Sequence, residues 1–83
     1  MLIESLSAEL REIETGSDEK DYSFVREKVH SSKGAALTFG FGIYADELDR
    51  LRQFVIAQDN DRIRQSIDRL KAFLETAVFV PAV

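Results

Sequence analysis

The stretch Tyr22-Ser23-Phe24-Val25-Arg26-Glu27-Lys28-Val29-His30-Ser31-Ser32-Lys33-Gly34-Ala35-Ala36-Leu37-Thr38-Phe39 decides the fold. At about 100° per residue, Tyr22, Val25, Val29, Ser32, Ala36 and Phe39 fall on one stripe, spaced alternately by three and four. This pattern predicts a helix from about Tyr22 to Phe39 whose stripe faces a core, with Asp21 as its N-cap. His30, the only histidine of the chain, points roughly 130° away from the stripe's centre and shares its side with Arg26, Lys33, Gly34 and Leu37. The imidazole is therefore expected to face solvent. Gly34 sits one turn further on, where glycine costs about 1 kcal/mol relative to alanine and no turn signal accounts for it. A requirement other than backbone freedom is expected to keep it there.

Working outward, the same periodicity recurs three more times. A first helix is expected from about Leu2 to Glu14, with Ile3, Leu6, Leu10 and Ile13 inward and Gly16 as its stop. Ser17 to Lys20 form a polar connection. After the central helix, Gly40 and Gly42 flank Phe41 and make the strongest break inside the chain. A third helix from about Ile43 to Ala57 turns Tyr44, Leu48, Leu51 and Val55 inward. Asp59 or Asn60 caps a fourth, whose seam of Ile63, Ile67, Leu70, Leu74 and Ala77 runs to about Val78. Phe39 and Phe41 are both assigned to the core. Four amphipathic faces joined by short connections predict an all-α, antiparallel up-down-up-down four-helix bundle, with residues 1–83 forming a single domain. The apolar tail Ala77 to Val83 is expected to fold back through Phe79 onto a bundle end or into a dimer contact.

Composition narrows the function before any motif does. With no cysteine, disulfide frameworks and thiolate metal or redox chemistry are excluded. A net charge of −4 argues against a nucleic-acid partner, because phosphate binding needs an excess of Lys and Arg on one face. The N-terminus carries Glu4 and no basic segment ahead of an apolar run, so it does not read as a signal peptide. No run approaches the roughly 20 apolar residues of a membrane span, and no membrane association is expected. One histidine with scattered carboxylates has neither the ligand count nor the spacing for zinc or a di-iron site, so no metal ligands are assigned. A Ser-His-Asp hydrolase would need a pocket and an oxyanion hole that a small bundle does not provide.

The remaining pattern is specific. His30-x-x-Lys33-Gly34, the small Ala36, and Gly40 ten positions after the histidine resemble the signature of histidine-containing phosphotransfer (HPt) domains of two-component phosphorelays. The run Thr38-Phe39-Gly40-Phe41 is similar, more narrowly, to the phosphotransfer domain of chemotaxis histidine kinases. This resemblance implies a cytoplasmic phosphocarrier, not an enzyme, in which His30 is phosphorylated in exchange with receiver-domain aspartates or a histidine kinase. Its partners would be a response-regulator receiver domain, a histidine kinase or both, and the protein would be a monomer or weak dimer. It would need no cofactor of its own, since Mg²⁺ is expected on the receiver. Lys33 and Gly34 would support the site, the first by neutralising phosphate charge and the second by leaving room for the receiver. Arg26 and Leu37 are candidate docking residues.

Two positions depart from the family pattern. Ser32 stands two residues after the histidine, where a large aliphatic is usual, and is expected to loosen local packing. Arg52 occupies a third-helix position near the histidine that is often acidic, which removes a carboxylate partner for His30. These departures keep one alternative in play, a non-phosphorylated helical interaction or adaptor module with an HPt-like fold. A sensor-kinase dimerisation helix fits less well, because its histidine is typically followed by an acidic residue and Ser31 follows here.

Overall fold

The three-four spacing becomes four helices in the computed structural model, which describes residues 2–79, with side chains described from residue 4 to 76. They are α1 (Leu2–Asp18), α2 (Tyr22–Thr38), α3 (Gly42–Ile56) and α4 (Asn60–Phe79). Each packs on its chain neighbour, and α4 closes back on α1, which is the square of an up-down-up-down bundle. The inward seams meet in one core. Leu6, Leu10 and Ile13 of α1, Val25, Val29 and Ala36 of α2, Tyr44, Leu48, Leu51 and Val55 of α3, and Ile63, Ile67, Leu70 and Leu74 of α4 are all buried. Burial of a Val, Leu or Ile side chain contributes about 1.5–3 kcal/mol, so this core is the main source of stability.

All three connections are built the same way. At each helix end, one residue adopts a positive φ: Lys20 (58°), Gly40 (80°) and Gln58 (55°). Its N–H and that of the next residue then bond back to carbonyls of the last turn. These pairs are Lys20 to Ser17 and Asp21 to Gly16, Gly40 to Leu37 and Phe41 to Ala36, and Gln58 to Val55 and Asp59 to Phe54. The following helix starts at once. Asp21 caps α2 by accepting from the Phe24 N–H at 3.3 Å, and Asp59 caps α4 by accepting from the Arg62 N–H at 3.3 Å.

Three expectations need correction or limits. Gly16 does not stop α1, which continues to Asp18. A Cβ on Gly16 would come within 2.8 Å of Phe24 Cδ2 and 3.0 Å of Val25 Cγ2, so glycine serves the close approach of α1 to α2. Phe39 is not core: it is 58% exposed, because α2 ends at Thr38 and the chain turns before the ring can reach inward. Phe41 takes the inward place instead, with its ring 5.8 Å from that of Phe73. The side chains of Ile3 and Ala77, and the tail packing expected of Phe79, lie outside the described side chains.

Candidate phosphotransfer site

α2 carries two faces with opposite environments. Val25, Val29, Ser32 and Ala36 are buried against the other helices. His30 stands exposed on the far side and makes no hydrogen bond or ion pair with any described residue. Gly34, one turn on, is open: a Cβ added there would meet nothing within 4 Å. Its backbone is helical, and its carbonyl accepts a 2.9 Å bond from the Thr38 hydroxyl in addition to its place in the helix. Close helix packing therefore does not explain this glycine. Leu37 lies on the exposed side as well, at 54% exposure.

The antiparallel α3 supplies the other half of the surface. Lys33 Nζ lies 2.8 Å from Asp49 Oδ1, an ion pair across the two helices. From this bridge, three residues back along α2 and three forward along α3 lead to His30 and Arg52, which antiparallel packing places at the same level. These two residues line one open groove together with Ser23, Arg26 and Glu27. Thus the structure brings His30, Arg26, Lys33 and Gly34 to one face with Arg52. Leu37 continues that face toward the α2–α3 turn.

Behind the face, buried polar contacts hold the helices in register. Ser32 is fully buried and its hydroxyl donates to the Glu9 carboxylate of α1, so the polar side chain is satisfied in a position facing the core. Ser66 of α4, also fully buried, donates at 2.7 Å to Glu47 of α3. Tyr44 of α3 packs its ring 5.5 Å from Phe73, but its buried hydroxyl has no partner among the described residues. Burial, and then the nearby Glu9 charge, push this phenol's pKa well upward. The imidazole is thereby carried on a helix whose opposite side is fixed by core packing and by the bond to α1.

Sequence reasoning did not find Asp49 as the partner of Lys33, or Glu9 as the acceptor for Ser32. Both are contacts between helices, and periodicity within one helix says nothing about the axial register between two. Among the described residues, no group of three His, Cys, Asp or Glu side chains is placed to hold a metal ion. No described helix is long and apolar enough to cross a membrane.

Comparison with known proteins gives the same direction as the geometry. Residues 1–78 match the family model described as the Hpt domain. No curated protein and no solved structure matches the chain. With the family model covering nearly all of the chain, and an exposed histidine on the second helix of a four-helix bundle, the protein belongs to the Hpt domain family, and its general role is phosphotransfer.

Proposed function

We propose that this protein is a cytoplasmic histidine phosphocarrier of a two-component phosphorelay, with His30 as the residue phosphorylated. The observation that carries the proposal is the exposed, unbonded imidazole of His30 beside the open position at Gly34, in a chain of the Hpt family.

Transfer is a displacement at phosphorus. His30 Nε2, the ring nitrogen farther from the backbone, attacks the phosphorus of a receiver's aspartyl phosphate. The N–P bond forms as the acyl phosphate O–P bond breaks, the aspartate leaves as a carboxylate, and the Nδ1 proton passes to water. Donation reverses these steps. Such transfers depend on in-line positioning and charge neutralisation, and the receiver brings the Mg²⁺ and carboxylates for both. This chain contributes a nucleophile on a rigid helix and room for the partner to close, so it acts as a carrier with no catalytic machinery of its own. Lys33 supports the phosphoryl group with a charge that it shares with Asp49. Arg26 and Leu37 belong to the surface that meets the partner.

The test is incubation with a panel of phosphorylated receiver domains, followed by assay for an acid-labile, base-stable phosphate. Wild type should label. His30→Gln should keep its helicity, since an exposed position loses little packing, and should not label. Lys33→Ala should label more slowly. Label on folded His30→Gln would place the chemistry elsewhere. A wild type that no donor labels would favour the adaptor alternative.

A further inference from the structure

We propose that Arg26 and Arg52 form a cationic clamp for the phosphoryl group on His30, with Lys33 the lesser contributor; this rests on His30 being the acceptor. Both arginines line the groove that holds His30, one from α2 and one from α3. Neither has an ion-pair partner among the described residues. The groove's lining holds a single carboxylate, Glu27, against these two guanidiniums. Two guanidiniums against one carboxylate leave the groove net positive in a chain of net charge −4, and a phosphoryl group on the imidazole would bring up to about two negative charges to that place. Guanidinium is the side chain best shaped for this, since its planar fork binds phosphate oxygens in pairs.

Lys33 is differently placed. Its ammonium is 2.8 Å from Asp49, so its charge is shared with that carboxylate, and turning toward a phosphate would leave the carboxylate unpaired. The position often acidic in the family is therefore used here in the opposite sense. Instead of a carboxylate orienting the imidazole, Arg52 faces the product of its reaction.

The experiment loads His30 with phosphoramidate, a small donor that needs no receiver. Nε2 attacks phosphorus, the donor's P–N bond breaks, ammonia departs and the Nδ1 proton passes to water. The readout is the ³¹P resonance of the phosphohistidine titrated through the last ionisation of the phosphoryl group. Nearby cations favour the dianion and lower that midpoint. The double variant Arg26→Ala/Arg52→Ala should raise it by about half a unit or more, while Lys33→Ala should move it less. The double substitution to Lys should keep most of the wild-type value, since charge is retained. An unmoved midpoint in the loaded, folded double alanine variant, or a larger shift in Lys33→Ala, overturns the clamp alone. A folded wild type that takes no phosphate from phosphoramidate overturns the phosphocarrier proposal and the clamp with it.

Discussion

Gly16 and Gly34 both lie inside helices, yet a methyl group on each would meet opposite surroundings. At Gly16, on the seam between α1 and α2, it would run into Phe24 and Val25; at Gly34, on the outer face of α2, it would meet nothing within 4 Å. The first glycine is there because two helices come close. The second has no such contact within the described residues, and its cost of about 1 kcal/mol in helix propensity is what the proposed approach of a partner to His30 would account for. One helix thus joins a closed side that fixes its position and an open side that presents His30.

The sharpest way to break this contrast is to fill both positions with the same side chain. Gly16→Leu should lose about 3 kcal/mol, at the upper end of overpacking costs. Gly34→Leu should be unchanged or gain up to about 1 kcal/mol. Urea unfolding of the two variants measures both, and equal losses would end the distinction between the seam and the outer face.

A smaller loss is expected from Ser32→Ala on the closed side. It removes the hydroxyl that donates to Glu9 and leaves a half-buried carboxylate without that bond, a loss of about 1–2 kcal/mol. His30 should remain exposed, so loading by phosphoramidate should persist in the folded variant.

Tyr44→Phe should go the other way. Its hydroxyl is buried without a partner among the described residues, and removing it should stabilise the bundle by about 1 kcal/mol. The phenol also sets an alkaline limit. Its folded pKa is raised, so stability is fully present below the unfolded tyrosine value of about 10 and falls as pH rises above it, by up to about 1.4 kcal/mol per unit. Thermal melts from pH 9 to 11 should show that fall in wild type and a smaller one in Tyr44→Phe.

Much of this was legible from apolar spacing. Leu6, Leu10, Ile13, Leu48, Leu51 and Leu70 lie inside because each repeats at three or four residues, and burial enforces that period. The end of α1 was not legible. Its left-handed turn residue is Lys20, not glycine, while the glycine that looked like a stop answers to contacts from another helix. Phe39 continued the stripe by spacing alone, but the turn at Gly40 ended the helix before spacing could place it. In the site, His30, Lys33 and Gly34 could be placed together because one helix carries all three. Asp49 and Glu9 could not, since their roles arise only when helices are set side by side. The nearness of Arg52 to His30 was available only through the family resemblance.

The central claim is that the open space at Gly34 serves the approach of a partner to His30. Its most direct test is Gly34→Ala, comparing melting temperature with the rate of phosphoryl transfer from a receiver domain. The variant should melt at or above the wild-type temperature, with transfer slowed about tenfold or more, because a small displacement at the reacting centre is costly. A variant that transfers at the wild-type rate would contradict it.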